Sequence, residues 1–121
     1  MQREDLTARV TKNLDPDLLD FLAVYADSFV KWDLLRFFHE NPSTMDTAEN
    51  IARYVGRSVR DVQPELKALA RHGLLVERLL DTLTVYTLHH DTALRTRLAA
   101  FIKATQDREF RRKVIYHMVR Q

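Results

Sequence analysis

Along most of the chain the apolar positions recur with a helical period. Leu18, Leu19, Leu22 and Tyr25 share one side of a helix opened by Asp15, an N-cap type, and by Pro16 in the first turn. Phe29, Trp32, Leu35 and Phe38 repeat that spacing over about 28–40, until Asn41, Pro42 and Ser43 end it. Asp46 and Glu49 stand at the reciprocal spacing of a capping box, which predicts a short helix over about 47–55. Ile51, Ala52 and Val55 would point inward, and Gly56 would stop it. The next helix turns Val62, Leu66 and Leu69 to the core and ends at Gly73.

Beyond Gly73 the period falls from 3.6 to 2. The runs 74–79 and 83–88, rich in Val, Thr and Tyr around Asp81 and Thr82, predict a β-hairpin whose turn lacks a glycine. From Asp91, a capping type, residues 92–120 form one long helix or two consecutive ones, with Leu94, Leu98, Phe101 and Ile102 first and Phe110, Val114 and Met118 after. Residues 1–14 are weakly patterned and read as a frayed arm. The whole is mainly α with one small hairpin, and 121 residues at 45% hydrophobic content suit one domain, 1–121. Within it, 15–28 is an N-terminal helix, 29–88 the central unit and 91–121 a C-terminal helical extension.

Pro64 interrupts the third pattern. A proline inside a helix removes one hydrogen bond and clashes with the preceding turn, at about 3 kcal/mol. With Ser58 as N-cap it would lie in the interior. With Asp61 as N-cap it falls in the first turn, where its missing N–H has no intrahelical partner. The second arrangement is the expected one, leaving Arg57 and Arg60 on a turn and Lys67 and Arg71 on the helix.

Composition narrows the chemistry. The absence of cysteine removes disulfides, thiolate metal sites and cysteine nucleophiles. No run approaches the roughly 18 apolar residues of a membrane span, and Met1 precedes charged residues, so a cytoplasmic protein without a membrane partner is expected. Net charge is only +2, yet residues 1–50 hold 5 basic against 10 acidic side chains and residues 51–121 hold 14 against 7. Such asymmetry fits a polyanion partner for the second half, or acidic and basic surfaces that meet in an oligomer.

A short helix, a glycine turn, a serine-capped second helix and a hairpin follow one another in IARYVGRSVRDVQPELKALARHGLLVERLLDTLTVYTL. This order resembles winged helix-turn-helix transcriptional regulators of the ArsR-like and MarR-like kinds. Ile51 to Val55, Gly56, Ser58, Leu66 to Leu69, and Gly73 with Leu74 carry the resemblance, which spans 29–88. It implies a homodimer that places its second helix-turn-helix helix in the major groove of double-stranded DNA, with the wing on flanking backbone or minor groove. On that footing Arg57, Ser58, Arg60, Gln63, Lys67, Arg71 and Arg78 are the candidate DNA-binding residues. Arg and Lys suit phosphates or guanine, and Gln63 suits adenine. The alternative is a winged-helix module that binds another protein through the hairpin or the basic terminal helix.

In ArsR-like proteins terminal helices build the dimer, and here Leu18, Phe21, Leu22, Tyr25, Phe110, Val114 and Met118 offer apolar faces at both ends. They are expected to form a twofold interface between two copies, with acidic and basic rims complementing one another; the alternative is that they complete the monomer core. His89, His90 and Asp91 are ligand types, but adjacent strand histidines point to opposite faces, so no metal site and no cofactor are expected. Nothing reads as a phosphate loop, nucleophile elbow or His-Glu metal motif, so no enzyme is expected. The aromatics from Phe21 to Phe38 either line an effector pocket or fill the core; core is the commoner use of such spacing, and no effector is otherwise indicated.

Overall fold

A computed structural model describes residues 15–120; the frayed-arm reading of 1–14 lies outside them. Among the described residues the chain runs α1 (Pro16–Tyr25), α2 (Phe29–Glu40), β1 (Met45–Thr47), α3 (Ala48–Val55), α4 (Val59–Arg71), β2 (Leu75–Leu80), β3 (Leu83–Leu88), α5 (Thr92–Ala104) and α6 (Arg108–Arg120). It is mainly helical with a three-stranded antiparallel sheet in the order β1-β3-β2. No helix among them is long and apolar enough to cross a membrane.

Most boundaries follow local chemistry. Asp15 caps α1 by accepting from the Asp17 N–H, and Ser28 caps α2 by accepting from that of Lys31. Gly56 ends α3 in the left-handed region at φ 73°. At the hairpin turn Asp81 takes φ 56°, supplying without glycine the backbone that a two-residue connection needs. The C-terminal segment divides into two helices. Asp107 starts the second by accepting from the Phe110 N–H, while Arg111 donates to the carbonyls of Thr105 and Gln106.

Three expectations are corrected. The strand β1 has no counterpart in the periodicity, because three residues are too few to show one; it pairs Met45 with Thr87 and Thr47 with Val85. That pairing holds Asp46 in the sheet, so Thr47 caps α3 instead, accepting from the Asn50 N–H. Asp46 still serves the same end through its carboxylate, which takes hydrogen bonds from the Thr47 N–H, the Asn50 amide and the Tyr54 hydroxyl. Partial burial pushes this carboxyl up, but those donors and nearby Arg53 outweigh it and hold it below its ordinary range.

The second correction concerns Pro64. Ser58, not Asp61, is the N-cap of α4: its hydroxyl accepts from the Asp61 N–H at 3.3 Å, and its carbonyl takes the Val62 N–H. Arg60 is therefore helical and Pro64 is interior. The helix persists because Arg60 and Pro64 are both exposed, so water can satisfy the carbonyl that Pro64 leaves without a donor. Meanwhile Val62, Leu66 and Leu69 are fully buried on the opposite side.

The third concerns the ends. Phe21, Leu22, Tyr25, Val114 and Met118 are buried in the chain's own core, alongside Leu35, Phe38, Leu66 and Phe101. Leu18 and Phe110 pack against it. Their apolar faces therefore complete the monomer and are not on offer to a partner. What α1 and α6 leave outside is Val24, Ile115 and Val119. Phe29, expected inside, is 46% exposed, and Trp32 is only half-buried.

Candidate nucleic-acid interface

Helical geometry sorts the polar residues of α4 by sign. At 100° per residue, Arg60, Gln63, Pro64, Lys67 and Arg71 fall on one side, opposite Val62, Leu66 and Leu69, and all five are exposed. Glu65 falls elsewhere, half-buried against α2. Its carboxylate accepts the Ser28 hydroxyl at 2.6 Å and lies 3.9 Å from the ammonium of Lys31. Lys31 is itself buried and pairs with Asp27 at 2.7 Å. Asp61 occupies the first turn, where a negative charge suits the helix dipole. The solvent face of α4 is thus cationic although the helix holds two acids among its charges.

Beside this face stands the hairpin. Glu77 on β2 receives the Tyr86 hydroxyl at 2.7 Å and faces Lys67 at 3.8 Å. Burial, the hydrogen bond to Glu77 and the charges of Glu77 and Glu49 push the Tyr86 phenol far up, so it stays a donor. Lys67 remains 53% exposed, so this long contact does not enclose it. A cleft of about 230 Å³ runs between α4, the start of α3 and the hairpin tip, with Gln63, Lys67, Thr82 and Thr84 on its walls. No carboxylate among the described residues lies within ion-pair distance of Arg60, Arg71 or Arg78.

Of the residues singled out from sequence, Arg60, Gln63, Lys67 and Arg71 come together. The other three do not join them. The Nε of Arg57 donates to the Asp33 carboxylate on α2 at 2.7 Å, which directs this side chain away from the α4 face. The hydroxyl of Ser58 is used by its cap. Arg78 follows Glu77 on β2, so strand alternation turns it to the opposite side of the hairpin from the Glu77–Lys67 contact. Thr82 and Thr84 were not singled out at all. Only the hairpin register, which pairs Leu79 with Thr84, places them by the cleft.

No family model, curated protein or solved structure matches this chain.

The histidines also differ from expectation. His89 and His90 lie beyond the end of β3, free of strand alternation, and their rings stack at 4.7 Å and 14°. The Nδ1 of His89 accepts from the Asp91 N–H. Among the described residues no three His, Asp or Glu side chains are grouped as metal ligands would be. Chemically, the arrangement on α4 offers exposed cations and one amide on a half-buried helix. Such an array can hold anionic groups along its length.

Proposed function

We propose that this protein is a winged helix-turn-helix regulator that binds double-stranded DNA through α4. The observation that carries the reading is the sign-sorted face of α4, with Arg60, Lys67 and Arg71 outward and Glu65 turned to Lys31 and Ser28. On this reading α3 and α4 are the helix-turn-helix and β2 with β3 is the wing. Gln63 sits where a base edge would be read, and Arg60, Lys67 and Arg71 meet phosphates or guanine. Arg57 acts indirectly, by tying the start of α4 to α2.

The regulator acts as a homodimer. Its contact would use Val24 and the acidic side of α1 together with Ile115, Val119 and the arginines of α6. Sedimentation giving a monomer at micromolar concentration overturns this part. For the DNA reading, the test is titration with random and selected duplexes at several salt concentrations. Affinity that falls steeply with salt, and enrichment of a sequence from a random pool, are expected.

One observation favours a second reading. The hairpin tip carries Leu79, Leu80 and Leu83 at 72%, 48% and 56% exposure, an apolar end better suited to a protein surface than to phosphates. A winged-helix module of this kind would bind no duplex at low salt, and the same titration would show it.

A further inference from the structure

The strand order β1-β3-β2 leaves one side of β2 without a neighbouring strand among the described residues. His89 donates its N–H to the carbonyl of Leu74 at 2.9 Å, one step before the pairing of Leu75 with Leu88. In an antiparallel ladder the hydrogen-bonded pairs alternate, so Val76, Arg78 and Leu80 turn their backbone groups to β3. The N–H and C=O groups of Leu75, Glu77 and Leu79 point the other way, to the open edge, and take no backbone partner beyond the sheet among the described residues. A row of this kind is a template for a further strand.

Charge along this edge is uneven. An open groove of about 540 Å³ runs beside β2, with Lys67 and Arg71 of α4 and Leu75, Val76 and Glu77 in its lining. Neither Arg71 nor Arg78 has a carboxylate within ion-pair distance among the described residues. Glu77 is already engaged, by the Tyr86 hydroxyl at 2.7 Å and by Lys67 at 3.8 Å. Leu79 and Leu80 extend the edge with exposed apolar surface toward Asp81 in the turn. A second copy of the chain does not fit here. Directly opposite residues of an antiparallel pair share a face, so a strand paired with its own copy about a twofold is centred on one residue that meets itself. Pairing 75–79 with itself sets Glu77 against Glu77, and pairing 76–80 sets Arg78 against Arg78, like charges directly opposite one another.

We propose that the open edge of β2 takes an extended acidic segment of another protein as a further, antiparallel strand of the sheet. Main-chain hydrogen bonds to Leu75, Glu77 and Leu79 hold the segment, and its side chains match the edge. One acid lies opposite Arg78, a second lies opposite Leu75 beside Arg71, a neutral residue faces Glu77, and an apolar one covers Leu79. Lys67 and Arg71 also belong to the cationic side of α4. On the DNA-binding reading, on which this last step alone rests, segment and duplex therefore compete, each lowering the affinity of the other.

The probe is a fluorescein-labelled, amidated peptide, Thr-Val-Glu-Thr-Val-Glu-Thr, whose first valine to second glutamate supply that order when laid against 79 down to 75. Titrated with the full chain, its anisotropy should rise saturably, and replacing both glutamates by glutamine should weaken binding roughly tenfold. Methylating the amide nitrogens of the first valine and the central threonine, which face β2, should weaken it about tenfold or more. Methylating those of the first glutamate and the second valine, which face away, should change it by less than about threefold. Leu79→Pro removes one N–H from the open edge and none from the ladder with β3, and should weaken the peptide about fivefold. No saturable rise, equal losses from the two methylation patterns, or equal affinity for the glutamine peptide overturns the proposal. The peptide comparisons use the native chain, so they decide it even if Leu79→Pro fails to fold. A duplex titration with and without the peptide reads the competition separately. Unchanged duplex affinity at saturating peptide overturns the competition, whereas a chain that takes the peptide but binds no duplex overturns the DNA reading and leaves the edge pairing intact.

Discussion

Two helices of equal length, α4 and α6, both carry a surplus of basic side chains, and they use it differently. α6 is richer, with Arg108, Arg111, Arg112, Lys113 and Arg120 against Glu109 alone. Yet its charges are spread around the helix, with Ile115 and Val119 exposed among them, and Arg111 is turned to the end of α5. α4 has fewer cations and more acid, but Glu65 is drawn inward by Ser28 and Lys31 and the exposed Asp61 lies in the first turn, off the side of Arg60, Lys67 and Arg71, so that side presents cations alone. A count of charges points to α6; the way the core orients the helix points to α4. On the DNA-binding reading, rigid presentation is what would separate a recognition surface from a merely basic one.

The sharpest way to break that comparison is to neutralise each helix in turn. Replacing Arg60, Lys67 and Arg71 together by Ala should cut duplex affinity on the order of a hundredfold and flatten the slope of log K against log salt by about 3. Replacing Arg108, Arg112 and Lys113 by Ala should change affinity by less than about threefold if their role is long-range attraction only. Fluorescence anisotropy at two salt concentrations reads both. Equal losses would make the chain a diffuse polyanion binder, and the reverse order would move the interface to α6.

Anchoring differs as well. Leu66 of α4 is fully buried, so Leu66→Ala should cost about 3 kcal/mol in denaturant unfolding. Met118 of α6 is 8% exposed in the last turns of its helix, and Met118→Ala should cost about 2 kcal/mol or less. A larger loss at Met118 would mean that α6, not α4, is the better-held element.

Much of this was legible in the sequence, and what was not follows a pattern. Val62, Leu66 and Leu69 announced the buried side of α4, and Asp15, Gly56, Gly73 and Asp91 stand where the elements begin or end. Two kinds of fact were hidden. One was β1, whose three residues gain meaning only from pairing with β3, far along the chain. The other was the partner of each charge. Spacing places Arg57 beside the face of Arg60, Lys67 and Arg71, but Asp33, distant in sequence, takes it to α2. The terminal residues were misread for a related reason. Spacing shows that Phe21, Val114 and Met118 need an apolar neighbour, but not whether that neighbour belongs to the same chain.

Pro64 makes the comparison energetic. α6 holds no proline, whereas α4 has one in its interior and still runs unbroken to Arg71. The core contacts of Val62, Leu66 and Leu69 offset the lost hydrogen bond and the ring clash. Pro64→Ala should therefore stabilise the chain by about 2 kcal/mol, with an unchanged denaturant slope. Because the proline offers no hydrogen-bond donor to DNA, duplex affinity should stay within about twofold. A destabilised variant would mean that α4 depends on a bend at this position.

The smallest expected effect separates the inward polar groups of the two helices. Glu65 of α4 has partners, whereas the buried Nε2 of His117 on α6 has no hydrogen bond among the described residues. Burial, reinforced by the charge of Arg120, pushes the imidazole below its ordinary range. A base whose folded pKa is depressed binds its proton more readily when unfolded. Its contribution is therefore fully present above the unfolded pKa of about 6.5, and it is lost as pH falls from there toward the folded value. Because the ring is partly exposed, the whole effect should be about half a kcal/mol or less. Denaturant unfolding of the native chain and of His117→Gln at pH 7.5 and 5.5 checks the sign. The native chain should lose more stability between the two, since the variant carries no proton-binding group there. A native chain that instead gained on the variant at pH 5.5 would mean that His117 has an anionic partner, and α6 would then match α4 in satisfying what it turns inward.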